Sequence, residues 1–377
     1  IHQPVRLRRY RFFDIGKRHD YFDEYVNRST IRRIAERCYL PMNHLIMDLI
    51  KRYGTNFKVS FSISGSALEQ FALHAPEVIE SFQELAKTGC VEFLAETYAH
   101  SLASLSDTDE FERQVRRHAA KMEELFGQKP VTLRNSSLIY SDQIGERVAA
   151  MGFESMLTDG AKHVLGWKSP NFVYTNVMNP RLKLLLKNSR LSDDLTLRFS
   201  DHSWHEWPLT ADKYARWLKD STRDSEIVNL FMNYETFGEN QLAETGIFEF
   251  MRSLPEYIFS TTDFEFLTPG EAVKKHQPVA PLHVPYPISW ADEEKDITGW
   301  LGNELQNEAF EELFKIQPKV EALNDPELNE DYSRLQASDH FYYMRTKLFS
   351  DNDHHRYVSP YETPYEAFIN YMNVLSD

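Results

Sequence analysis

The chain is short of cysteine and of basic charge, and it has no long apolar run. Two cysteines, Cys38 and Cys90, stand among 377 residues, too few for a disulfide framework. One bridge between them is an arrangement the count allows. Two reduced, buried thiols are the simpler arrangement and fit a cytoplasmic location. No stretch of about 18 uncharged apolar residues occurs, so no membrane-spanning helix is expected. No basic n-region followed by an apolar h-region opens the chain, so no secretory signal is visible. The sequence also lacks an initiator Met and starts abruptly at Ile1-His2-Gln3-Pro4, and a preceding segment is therefore expected. Lys and Arg number 42 against 57 Asp and Glu, a formal net charge of −15. An acid excess of that size argues against nucleic acid or anionic lipid as a partner. The basic run RLRRYR at 6–11 is read as a solvated leading segment.

The length suits two or three domains, or one α/β barrel with an appendage. Aromatic residues make up 13% of the chain. Most belong in a core, although rings exposed in a cleft would also suit the apolar faces of sugars. Short β-branched or aromatic runs alternate with longer amphipathic ones. Strands are predicted at Phe57–Ile63, Cys90–Ala95, Val131–Arg134, Ser155–Thr158, Leu195–Phe199, Ile227–Asn233 and Phe264–Leu267. Helices are predicted at Pro41–Tyr53, Pro76–Thr88, Asp107–Phe126, Asp142–Met151, Ala211–Lys219 and Gln241–Leu254. Asp107, with Glu110 three residues later, resembles a capping box. Such alternation indicates an α/β fold with a mainly parallel sheet, closed as a barrel or open and doubly wound. No Gly-x-Gly-x-x-Gly or Walker-type loop follows any predicted strand, which shifts the balance toward a barrel. A proline-rich connector at 276–287 then leads into helix-rich sequence at Asp292–Ile316, Asp331–Phe349 and Pro360–Leu375. A boundary is expected there, dividing the chain into 1–275 and 276–377.

In a barrel, functional groups gather at the C-terminal ends of strands. The second predicted strand runs into Glu96, Tyr98 and His100, which share one side if the extended conformation continues. The third ends in Asn135, Ser136 and Ser137, and the next two in Asp159 and in Asp201-His202. Ile227–Asn233 ends with Asn233 and Glu235, again two apart. Polar tips suit a working cleft, but strand ends meet solvent in any barrel.

Five ordered blocks carry a more specific signal: HQP at 2–4, GCVEFLAETYAHSLASL at 89–105, LRNSSLIYSD at 133–142, FMNYETFGENQ at 231–241 and SWADEEKDITGWLGNELQNEA at 289–309. With these the chain resembles glycoside hydrolase family 57, in its α-amylase and α-amylase-like branch. The resemblance implies an incomplete TIM-type barrel of seven strands followed by a helical region that packs on the barrel mouth. It also implies α-glucan substrates, a retaining mechanism, and no obligatory metal or other cofactor. The family's nucleophile, a glutamate in the third block, falls on Ser137. Its proton donor, an aspartate in the fourth, falls on Asn233. Both catalytic carboxylates are therefore replaced. An amide has no proton to give as a general acid, and a serine without an adjacent base is a poor nucleophile. Both residues still hydrogen-bond well.

The reading that follows is an α-amylase-like protein of glycogen- or starch-like glucan metabolism that binds its polysaccharide without hydrolysing it by the family mechanism. A rival is an active retaining glycosidase or glucanotransferase using displaced acids such as Glu96, Glu235 or Asp159. A third reading is a structural partner of glucan-handling proteins with no sugar affinity. His2, Glu96, His100, Asp159, Glu235, Trp290, Asp292 and Trp300 are expected to contact or support the sugar. For Trp204 and Trp207, core packing is at least as good an account. HSWH at 202–205 and His354-His355 bring no third ligand at zinc spacing, so no metal site is expected. Oligomeric state is not legible in the sequence.

Overall fold

The computed structural model describes residues 1–106, 108–347 and 359–377. Seven strands are present among them: β1 (Val59–Phe61), β2 (Val91–Phe93), β3 (Thr132–Arg134), β4 (Ser155–Asp159), β5 (Tyr174–Asn176), β6 (Lys183–Lys187) and β7 (Ala280–Leu282). β1 and β2 pair in parallel, and a second sheet runs β3-β4-β6-β5-β7. Within it β3, β4 and β6 are parallel, while β5 is antiparallel to β6 and parallel to β7. An isolated bridge between Ala95 and Leu133 joins the sheets. Its backbone bonds are Ala95 N–H to the Thr132 carbonyl at 3.0 Å and Arg134 N–H to the Ala95 carbonyl at 2.8 Å.

The pleat then sorts the side chains. In β6, Leu184 and Leu186 face one apolar cluster while Leu185 faces another; in β4, Met156 and Leu157 divide the same way. Such alternation follows from the period of two. The inner cluster consists of Leu94, Leu138, Leu157, Val173, Leu185, Ile227 and Val273, and Phe231 and Trp290 pack against it. This is the filled interior of an incomplete TIM-type barrel. Outside it, helices Leu40–Tyr53, Gly65–His74, Pro76–Ala86 and Ile247–Thr261 cover the β1–β2 side. Helices Glu110–Phe126, Asp142–Ala150, Glu304–Leu323 and Pro364–Leu375 cover the β3–β7 side.

The first three predicted strands contain β1 to β3 and the fourth covers all of β4 but Asp159; the other three do not form ladders. Leu195–Phe199 starts in the last turn of helix Ser189–Thr196, where Leu191 and Leu195 share a buried face at helical spacing, and runs past its end. Ile227–Asn233 runs beside β6 without a ladder. Asn188 N–H bonds the Asn229 carbonyl at 2.9 Å, and Asn229 Nδ2 bonds the Leu186 carbonyl at 3.1 Å. Phe264–Leu267 supplies packing, with the Phe266 ring 5.0 Å from Phe57. The proline-rich stretch 276–287 contributes β7, which pairs only with β5 at the sheet edge. There Pro281 costs no interior ladder bond. Asp107 lies outside the described residues; helix Glu110–Phe126 starts after Asp109. Cys38 and Cys90 are both free and buried. Among the described residues no helix is long and apolar enough to cross a membrane.

Candidate functional site

The sharpest concentration of buried polar groups lies beyond the ends of β1 and β2. Glu96 is 0% exposed. Its Oε1 accepts from Ser62 Oγ at 2.7 Å, its Oε2 meets His100 Nδ1 at 2.8 Å, and Arg134 Nη1 stands 3.8 Å away. Burial works to raise this carboxyl, but the hydrogen bond and charge of His100, with Arg134 and His118 behind, hold it well below the usual carboxylate range. Burial, then the His2 ring, push His100 down to about 4. Near neutral pH the pair is thus a carboxylate and a neutral imidazole whose Nδ1 carries the proton. Below it, Glu96 N–H donates to His118 Nδ1 at 3.2 Å. His118 therefore carries its own proton on Nε2 and donates it to the Ile63 carbonyl at 2.7 Å.

His2 stacks on His100 with ring centroids 4.1 Å apart and planes 15° from parallel. Its Nδ1 is 2.7 Å from Ser64 Oγ and its Nε2 is 2.8 Å from Asp339 Oδ2. Asp339 comes from the short helix Ser338–Tyr342. Burial would raise its carboxyl, but His2 beside it brings it down to about 2. Sequence reasoning missed this residue, because helical periodicity does not reveal which turn reaches a distant strand end. The available signal was Asp339-His340, a polar pair ahead of the aromatic run Phe341-Tyr342-Tyr343.

Next to His2, Gln3 Nε2 reaches Glu235 Oε1 at 3.5 Å, and Tyr39 Oη donates to the same oxygen at 2.6 Å. Tyr39, also missed, ends a π-type turn at Ala35–Tyr39, a distortion that recurs at functional sites. Asn233 precedes the turn Tyr234–Thr236 and is half-buried, while Tyr234 points inward and stacks on Tyr39. The Asn233 amide has no hydrogen-bond partner among the described residues.

Ser137 follows β3 in a left-handed conformation (φ 53°), as does Leu138 (φ 55°). For non-glycine residues this costs on the order of 1–2 kcal/mol each. Asn135 holds the turn: its Oδ1 accepts from Ser136 N–H at 2.9 Å, and its Nδ2 donates to Ser104 Oγ at 2.8 Å and the Ile139 carbonyl at 2.9 Å. Trp290 N–H donates to the Ser137 carbonyl at 3.1 Å. The Ser137 hydroxyl makes no hydrogen bond among the described residues. Asn135→Ala should lower stability by about 2–3 kcal/mol through the loss of these bonds. The urea unfolding midpoint reads this; an unchanged midpoint would show that the turn holds without Asn135. Leu138, next to Ser137, belongs to the barrel-interior cluster against which Phe231 and Trp290 pack.

Asp159 ends β4. Its Oδ1 accepts from Ser189 Oγ at 3.1 Å, Lys295 Nζ lies 3.9 Å from Oδ2, and Oδ2 has no hydrogen bond. Burial pushes this carboxyl up against the pull of Lys295 and Lys187. The Asp292 side chain is buried and lies 3.3 Å from both Arg345 Nη2 and Lys347 Nζ. Trp300 is 2% exposed and packs between Trp290 and Tyr342. It props Trp290 and offers no open ring face.

Two expectations need correction. The extended run does not continue through Glu96-Tyr98-His100, because the chain turns, with His100 N–H bonded to the Thr97 carbonyl at 3.0 Å. Glu96 and His100 meet across that turn, whereas the Tyr98 hydroxyl goes to Glu69 at 2.8 Å and its ring to Arg117. Asp201-His202 is not a strand tip: Asp201 accepts from Ser203, and His202 stacks on Trp207 at 4.2 Å. His354-His355 lies outside the described residues. Among those described, no group of three or more His, Cys, Asp or Glu could hold a metal ion.

The fold recurs in solved structures. A 4-α-glucanotransferase from Thermococcus litoralis matches with a TM-score of 0.67 at 15% identity, over 83% of this chain and 53% of that one. This chain thus spans about half of that enzyme's length. A family 57 branching enzyme from Thermococcus kodakaraensis matches with a TM-score of 0.66 at 12% identity, over 91% and 84% of the two chains. An α-amylase from Thermotoga maritima matches with a TM-score of 0.60 at 11% identity, over 98% and 91%. At the sequence level, a Methanocaldococcus jannaschii protein named "Putative alpha-amylase" is 40% identical, over 100% of this chain and 82% of its own. The model of glycosyl hydrolase family 57 matches residues 1–285, a span that holds the first four sequence blocks, and on these matches the chain belongs to that family.

Proposed function

We propose that this protein recognises an α-glucan, a glycogen- or starch-like polysaccharide or its oligosaccharides, in a cleft that has lost the family's hydrolytic mechanism. One observation carries this reading: residue 137 is a serine and residue 233 an asparagine, at the positions matched to the family's nucleophile and proton donor. Retaining hydrolysis needs two carboxyl groups about 5–5.5 Å apart. An amide cannot protonate a leaving oxygen, and a hydroxyl with no adjacent base does not attack an anomeric carbon. Hydroxyl and amide do pair well with sugar hydroxyls, and they carry no charge to desolvate. Relatives named for amylase, glucanotransferase and branching activity support α-glucan as the ligand.

The rival reading needs displaced acids, and their surroundings count against it. Glu96 is engaged by Ser62, His100 and Arg134, and Glu235 by Tyr39 and Gln3. Asp159 keeps an oxygen without a hydrogen bond, but one carboxyl does not make a pair. The two buried, unbridged thiols support a cytoplasmic setting. The division at about residue 275 is retained as part of the proposal, with β7 as the strand that the second part adds to the first. Calorimetric titration with maltoheptaose tests the reading. Saturable binding is expected; no binding would favour a structural partner with no sugar affinity.

A further inference from the structure

We propose that Asp339 is a positioning residue: through His2 it holds His100 so that the His100 Nε2 lone pair faces a glucan hydroxyl. This role rests on the glucan-binding reading and extends it to the C-terminal helices. Three contacts converge on it. The Asp339 carboxylate can only accept, so the 2.8 Å contact places the His2 proton on Nε2. His2 Nδ1 lies 2.7 Å from Ser64 Oγ, so both ring nitrogens are engaged. The ring so fixed lies flat against His100 at 4.1 Å.

The backbone of the same segment holds His100 as well. Ser338 N–H donates to the His100 carbonyl at 3.0 Å, and Ser101 and Ala337 form an antiparallel bridge. His100 has a left-handed φ of 54°, a conformation that persists only where its surroundings enforce it. Glu96 accepts a hydrogen bond from His100 Nδ1 at 2.8 Å. Nε2 is left as an acceptor with no partner among the described residues. A sugar hydroxyl is a donor of the right kind for that lone pair. The geometry therefore runs from Asp339 to His2 by hydrogen bond, from His2 to His100 by stacking, and from His100 to the ligand.

Titration of the full chain with maltoheptaose, compared with Asp339→Ala and Asp339→Asn, tests this role. Asp339→Ala should bind at least about tenfold more weakly, the scale of losing a hydrogen bond to a charged group. Asp339→Asn retains an acceptor oxygen and should recover most of the affinity. Nitrogen-15 NMR of the histidines gives a readout that packing alone would not move. The unmodified protein should show His2 protonated on Nε2 and His100 on Nδ1, and Asp339→Ala should change the His2 signals. Equal binding by Asp339→Ala would overturn the positioning role and leave the glucan reading standing. If no form binds, the glucan reading fails and so does the lone-pair role of His100. If Asp339→Ala does not fold, the protonation sites of the unmodified protein decide, and a His2 with no proton on Nε2 overturns the proposal.

Discussion

On the proposed reading, placing carboxyl groups at both positions, by Ser137→Glu together with Asn233→Asp, is expected to confer glycosidase activity. The gain should reach at least about 10²–10⁴-fold in reducing ends released from maltooligosaccharides, the range attributable to a positioned general acid alone. Position 137 already accommodates a non-glycine residue at φ 53°, so glutamate meets the same backbone cost as serine. Ser137 is buried, and burial of the new carboxyl raises the energy of its ionised form. Each single variant should stay near background, because attack and leaving-group protonation act as a unit. Product anomers, read by NMR, should retain the α configuration. A double variant that folds and binds glucan yet releases nothing would contradict the assignment of these two positions.

Acidification below about pH 6.5 should remove the stability that the buried histidines contribute. Burial holds His100 and His340 down to about 4 in the folded state, against 6.5 for an ordinary histidine. Between those values the unfolded chain binds more protons than the folded one, so stability falls as pH falls. The two rings contribute on the order of 2–3 kcal/mol each over that window. Glu96 and Asp339 act in the same direction at lower pH. Both are depressed in the folded state, so their contribution is present above the ordinary carboxylate range and lost as pH drops through it. Asp331, raised to about 6, works in the opposite direction over the same window, so the readout is a difference: between about pH 7 and 5 the urea midpoint of the unmodified protein should fall more steeply than that of His340→Gln. Parallel profiles for the two proteins would mean that the His340 ring is not held neutral by burial as described.

How far the fold could be read from the sequence depended on how local each signal was. FKVSFSI and CVEFLA are β-branched or aromatic runs bounded by turn residues, and β1 and β2 lie within them. β6, KLLLK, escaped notice because a leucine run reads equally well as helix. β7 escaped because proline argues against a central strand, yet Pro281 sits on an edge. Of the residues the blocks named, Glu96 and His100 meet beyond the ends of β1 and β2. Alternation misjudged Tyr98, since a turn at Thr97 replaces the extended run. Tyr39 and Asp339 reach their partners Glu235 and His2 across 196 and 337 residues of chain. No periodicity reports a contact of that range.

The central claim is that the cleft kept its affinity for sugar after exchanging two ionisable side chains for neutral ones. Product analysis of the unmodified protein, held with maltoheptaose at a concentration that saturates binding, tests it most directly. The heptasaccharide should be recovered at its original length, with no reducing ends above a protein-free control. Shorter or longer oligosaccharides accumulating over many turnovers would contradict the claim and show that other groups perform the chemistry.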